Sequence, residues 1–163
     1  EIDWEFIFKC YDMPEREFQY LAIDYMDKIK DLFVPDDVRN IQKLIMTKSW
    51  WDTVDYISKI VGHIAMKYPE VKDNIIRHWI YSDNIWLKRI SIIFQLKYKE
   101  KTDKEFLKEA VLNNSRTDEF FINKAIGWAL REYSKTNKEW VKDFIANNKL
   151  SNLSVKEGSR YLD

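Results

Sequence analysis

The sequence predicts an all-α fold, on three observations. Gly and Pro occur only three times each in 163 residues, too few turn formers for a chain built of many short strands. Apolar residues recur at helical spacing throughout. Residues that favour helix starts (Pro, Ser, Thr, Asp and Asn) stand just before the apolar-periodic stretches.

The elements follow in order. The first helix assigned is "PEREFQYLAIDYMDKIKDLF", after Pro14, with Phe18, Leu21, Ile23, Tyr25, Met26 and Ile29 at its apolar positions. Pro35 opens the next, with Asp36 and Asp37 in a first turn where acids suit the helix dipole, and Val38, Ile41, Leu44 and Ile45 as its apolar stripe. Ser49 is the expected N-cap of a helix through Lys67, and Asp52 is expected to cap the same helix. Pro69 begins a helix to Tyr81, and "SDNIWLKRISIIFQLKYK" follows, capped at Ser82 or Asp83. Thr102 caps "DKEFLKEAVL", Thr117 or Asp118 starts "EFFINKAIGWALREYSK", Asn137 starts "KEWVKDFIANN", and Ser154 starts a short final helix.

The connections are short, about two to six residues, as between antiparallel neighbours. Trp51, Trp86 and Trp128 are spaced by 35 and 42 residues, close to the period of about 40 to 47 of HEAT and armadillo repeats. The expected architecture is an α-solenoid of HEAT-like antiparallel helix pairs, residues 1–163 forming a single repeat domain. A compact helical bundle is the alternative.

Composition narrows the function. Lys plus Arg and Asp plus Glu balance at 27 each, so no global field draws the chain to polyanions, although a local basic face stays open. No apolar run reaches the ~18 residues of a membrane span, and no signal-peptide pattern is read in the sequence. One cysteine, Cys10, excludes an internal disulfide, suits a reducing cytoplasm, and reads as a small buried hydrophobe. His63 and His78 lack partners at metal-ligand spacing, so no metal site is assigned. There is no Gly-rich phosphate loop and no Ser/His/Asp arrangement, which argues against nucleotide hydrolysis and acyl transfer.

The polar residues beside the tryptophans are more informative. On a helix, Trp51 and Asp55 of "KSWWDTVDYI" lie about 40° apart, one turn from each other. Trp86 and Arg89 in "IWLKRIS", and Trp128 and Arg131 in "GWALREY", share an i, i+3 spacing. In a solenoid, equivalent helices line one concave surface, so these six residues are expected to share an aromatic, mostly basic groove with one carboxylate. Against this, a tryptophan at helical spacing is more often core, and Arg89 and Arg131 could each be solvated or pair with a neighbouring acid. Lys88, Lys97, Lys99 and Lys101, opposed only by Glu100, and further on Lys124 and Lys135, add positive charge, and basic residues interleaved with aromatics suit a phosphate backbone. Trp50 is assigned to packing and Trp51 to the substrate face.

"TKSWWDTVDYI", "WLKRISIIFQLKYKEKTD", "FFINKAIGWALREYSKTN" and "LSNLSVKEGSRYL", with "EREFQYLAIDYM", resemble the DNA alkylation repair family, the AlkD-like alkylpurine DNA glycosylases, from about residue 15 to the C-terminus. The resemblance implies a HEAT-like solenoid. It implies monofunctional hydrolysis of the N-glycosidic bond of cationic N3- or N7-alkylated purines, such as 7-methylguanine and 3-methyladenine, in duplex DNA, without a cofactor and without a base-capturing pocket. It makes Asp55 the catalytic carboxylate, Trp51 and Trp128 the aromatics beside the lesion nucleotide, Arg89 an arginine near the backbone, and Lys97, Arg131 and Lys88 phosphate contacts. The expected partner is alkylated double-stranded DNA, bound by a cytoplasmic monomer associated with the bacterial nucleoid. Members of the family usually begin with further N-terminal helices; this sequence, starting at Glu1, either lacks that segment or does not include it. The competing class is a non-catalytic solenoid that binds DNA structure or a protein.

Overall fold

The computed structural model describes residues Glu1–Asp163. It is all-α, with ten α-helices and no strand, and it divides into two compact units, Glu1–Ile75 and Ile76–Asp163. No helix is long and apolar enough to cross a membrane.

The first unit holds α1 (Trp4–Asp12), α2 (Arg16–Lys28), α3 (Val38–Ile45) and α4 (Trp51–Lys67), with 3-10 turns at Lys30–Leu32 and Pro35–Asp37. Helix α1 is absent from the sequence reading, although its signal is present: Asp3 caps it through the Phe6 amide, and Ile7 and Tyr11 form its buried stripe. Gln19, fully buried on α2, turns its amide onto the carbonyls of Cys10 and Met13 (both 3.0 Å), tying α2 to the end of α1, where the Cys10 carbonyl also accepts from the Met13 amide. The buried Cys10 thiol, pushed up by burial, packs as the small hydrophobe expected. Helices α2 and α3 both pack on α4, whose buried face is Val54, Ile57, Ile60, Val61 and Ile64.

The second unit holds α5 (Arg77–Ile80), α6 (Ile85–Ile93), α7 (Lys104–Leu112), α8 (Phe120–Ser134), α9 (Lys138–Asn147) and α10 (Asn152–Gly158). Helix α8 is its centre and packs on α6, α9 and α10. Ile90, Phe106, Ala125, Ile126, Leu130 and Val141 are among the residues that build the core. The tightest approach is between α8 and α10. A methyl group on Gly127 would stand 2.6 Å from Glu157 Cβ, and one on Gly158 would stand 3.1 Å from Leu130 Cβ.

Several boundaries differ from expectation. The helix after Pro14 stops at Lys28 and gives way to the 3-10 turn. The Pro69 segment contains a wide π turn at Lys72–Ile76. Helix α6 is capped by Asn84, whose carbonyl oxygen accepts from the Trp86 and Leu87 amides, and it ends at Ile93, so Lys97, Lys99 and Lys101 lie beyond it in turns. Asp103, not Thr102, caps α7, and Ser151, not Ser154, caps α10. Asn137 caps α9 as expected. Each corrected cap lies within three residues of its expected one.

Candidate nucleic-acid interface

In the first unit the site residues lie on α4. Trp51 opens the helix with 51% of its surface exposed, and Asp55, one turn on, is partly open to solvent on the same face. Trp50 is as exposed as Trp51, so its assignment to packing is corrected. The reason is local: Trp50 is the N-cap residue, with extended backbone (φ −154°, ψ 166°), and its ring leaves the helical register that would carry it into the core.

The other carboxylate of the motif has a different environment. Asp52 receives Nε of Arg16 at 3.0 Å on Oδ2 and a second guanidinium nitrogen at 2.5 Å on Oδ1. The Tyr20 hydroxyl donates to Oδ2 at 2.5 Å, and the Thr53 amide donates to Oδ1 at 2.8 Å. The arginine fork above all, with these other donors, holds the Asp52 carboxyl down at about 2. Asp52 therefore ties α4 to α2, and of the helix's own amides it takes that of Thr53, a residue inside the first turn. Ser49, the expected cap, instead donates its hydroxyl to the Ile45 carbonyl at 2.5 Å.

In the second unit Arg89 is almost fully buried, with 4% exposed. Its guanidinium donates to the Phe121 carbonyl at 2.6 Å and lies 5.8 Å from the Phe121 ring and 5.9 Å from the Trp128 ring. Trp86, also buried, packs on Phe121 with ring centroids 5.0 Å apart. Trp128 remains partly open. Thus Arg89 meets Trp128 across two helices, a pairing that differs from the Trp86–Arg89 and Trp128–Arg131 spacings of the sequence, while Trp86 takes the core role. Two aromatic faces and a carbonyl fix the plane of a cation in a dry setting, where each ring contact contributes about 0.5–2 kcal/mol. Phe121 escaped the sequence reading. Its signal was its place seven residues before Trp128, two turns along the same face of α8.

Arg131 points elsewhere. With Lys124 it brackets Glu157 of α10, Lys124 at 3.0 Å and Arg131 at 3.4 Å, and this pairing draws the Glu157 carboxyl below its ordinary range. Lys88 is partly exposed on α6. Lys97 is exposed and lines a cavity of about 730 Å³ together with Lys99, Lys135, Glu132 and an apolar floor including Ile92 and Leu107. Lys135 is paired there with Glu132 at 2.9 Å. None of Trp51, Asp55, Arg89 or Trp128 lines this cavity. No group of three or more His, Cys, Asp or Glu side chains is placed to hold a metal ion.

The family model of the DNA alkylation repair enzymes matches residues 1–162. The chain belongs to the DNA alkylation repair enzyme family. A solved structure described as a predicted DNA alkylation repair enzyme from Enterococcus faecalis is 38% identical to it, covering 97% of this chain and 74% of that one, with a TM-score of 0.93. No curated protein matches. The family match takes in α1, which lies ahead of the residues where the sequence reading placed the start of the resemblance. Within this DNA alkylation repair enzyme, the "WWDTVD" segment thus combines one carboxylate locked into the fold with one turned partly to solvent beside an exposed tryptophan.

Proposed function

We propose that this DNA alkylation repair protein is a monofunctional DNA glycosylase. It hydrolyses the N-glycosidic bond of cationic N3- and N7-alkylated purines in duplex DNA and leaves an abasic site. In this reading the chain is an α-solenoid of HEAT-like pairs acting as a monomeric single repeat domain. The observation that carries the reading is the division of labour inside "WWDTVD": Asp52 is held by Arg16 and Tyr20, while Asp55 is partly solvent-open one turn from the exposed Trp51.

An alkylated purine carries a positive charge, so it departs neutral and needs no proton donor. What the protein must supply is stabilisation of the oxocarbenium-like sugar and orientation of water, and a carboxylate does both. Asp55 takes that role. Trp51 and Trp128 are each assigned to aromatic contact with cationic nucleotides, which a ring face attracts through its quadrupole. Arg89, fixed by Phe121 and Trp128, is assigned in this reading to the backbone, and Lys88, Lys97 and Arg131 to phosphates, Arg131 sharing its charge with Glu157. With the base already activated, neither a base-capturing pocket nor a cofactor is needed.

Base release from matched duplexes that differ only in the lesion tests this. Release of 7-methylguanine and 3-methyladenine is expected, with uracil left in place. Asp55→Asn lowers the single-turnover rate by about 10²–10³ while duplex affinity holds or rises. Efficient uracil release, or full activity in the Asp55→Asn protein, would sink the assignment. Duplex binding with no release of any alkylated base would favour the non-catalytic solenoid.

A further inference from the structure

The turn that feeds α4 is strained and pinned. Lys48 sits at φ 49°, in the left-handed region that a residue with a β-carbon occupies only at a cost of about 1–2 kcal/mol. Both sides of this residue are held by the α1–α2 junction. Arg16 donates to the Lys48 carbonyl at 2.8 Å, and the Lys48 ammonium donates to the Met13 carbonyl at 2.7 Å. Three residues later comes Trp51, then Asp52, to which the same Arg16 side chain donates through two further nitrogens. The Thr53 hydroxyl also lies within reach of that guanidinium, at 3.3 Å. One guanidinium thus fixes the last residues before α4 and its first turn at once. Those backbone positions set the direction of the Trp51 ring and the angular position of Asp55.

We propose that Arg16 is a positioning residue: acting through Lys48 and Asp52, it presents Trp51 and Asp55 in one preset geometry. The proposal rests on the glycosylase reading for its kinetic consequence, but the geometry it asserts is independent of turnover. Such a residue touches no substrate. Its loss leaves DNA affinity largely in place and lowers the rate, because a misplaced carboxylate stabilises charge poorly even when binding is intact. A residue that only stabilised the fold would lower activity in proportion to the unfolded fraction.

The test uses Arg16→Lys, which keeps the charge but loses the planar fork, and Tyr20→Phe, which removes one hydrogen bond to Asp52 and guards against a variant that fails to fold. The protein is labelled with 5-fluorotryptophan, and the Trp51 fluorine resonance is assigned by Trp51→Phe. In Arg16→Lys the Trp51 resonance is expected to shift or broaden while those of Trp79 and Trp140 hold. The single-turnover rate on 7-methylguanine duplex is expected to fall about tenfold, with duplex Kd changed by no more than about twofold. Tyr20→Phe should move both readouts in the same direction by less. An unmoved Trp51 resonance, or a rate that merely follows the folded fraction, overturns the proposal. Should the wild-type protein release no alkylated base, the glycosylase reading fails by itself, and the Trp51 resonance alone then decides whether Arg16 positions this face.

Discussion

The first turn of α4 and the middle of α8 are each secured by one carboxylate, in opposite ways. Asp52 is gripped through a fork: three donors from α2 and one from its own backbone converge on it, and the grip passes through a left-handed residue. Glu157 is gripped by proximity. It stands over Gly127, between Lys124 and Arg131, on a helix that has closed onto α8 because there is no β-carbon in the way. In the first case charge geometry sets the backbone. In the second, backbone approach sets the charges. The signature stretches "WWDTVD" and "FFINKAIGWALREYSK" therefore carry as much packing information as chemistry.

The largest expected effect comes from breaking the close approach. Gly127→Ala gains about 1 kcal/mol of helix propensity. The new methyl, however, would meet Glu157 Cβ at 2.6 Å and Ser154 Cα at 3.4 Å, so α10 must move. Overpacking of this kind costs about 1–3 kcal/mol and is joined here by disturbed ion pairs and by the buried Ser154 hydroxyl's bond to the Asn123 carbonyl, so a net loss of about 2 kcal/mol is expected in urea unfolding. An unchanged midpoint would mean that α10 is not held against α8 as described.

A smaller effect is expected from Glu157→Gln, about 1.5 kcal/mol, because Arg131 already has a buried Nε without a hydrogen-bond partner and would lose its carboxylate. This variant also sharpens the DNA reading. A freed Arg131 should bind duplex more tightly and steepen the salt dependence of Kd by about one phosphate contact. An unaltered salt slope would leave Arg131 as a packing residue alone.

Much of the fold was legible because it is local. Helical spacing located nine of the ten helices, and the Asn137 cap was read directly, since cap and partner amide lie three residues apart. What escaped reading is long-range or fine-grained. Arg16 meets Asp52 across 36 positions, and nothing near either residue announces the other. Ser49 looked like the cap because nothing local reveals that Lys48 adopts positive φ and that the hydroxyl turns back to Ile45. Trp51 with Asp55 was legible as a helix face, whereas the meeting of Arg89 on α6 with Trp128 on α8 is a contact between helices that no local spacing announces. That Arg131 turns to α10 was not legible either, because it depends on the Gly127 approach.

The smallest effect concerns acid, and it isolates the Asp52 grip from the rest of the fold. The Asp52 carboxyl lies at about 2 in the folded chain against an ordinary 3.8. A depressed carboxyl stabilises the fold fully above its unfolded value, and the contribution disappears as pH falls through the folded value. The window is therefore from about pH 4 down to about pH 2, with no contribution to change between pH 5 and 7. The pair is partly exposed, the Arg16 side chain by 31%, so solvent screening reduces the full linkage value, and about 1 kcal/mol is expected to be lost by pH 2.5. Other carboxylates titrate in the same window, so the measurement is a difference. Asp52→Asn, which cannot titrate, is compared with wild type by urea unfolding at pH 5.5 and pH 2.5. The wild-type advantage should shrink by about 1 kcal/mol between the two, and in an Arg16→Gln background that pH dependence should largely vanish. An advantage that stays constant with pH would mean that Asp52 is held by packing and not by its charge, and the fork would then be a consequence of the α2–α4 contact instead of its cause.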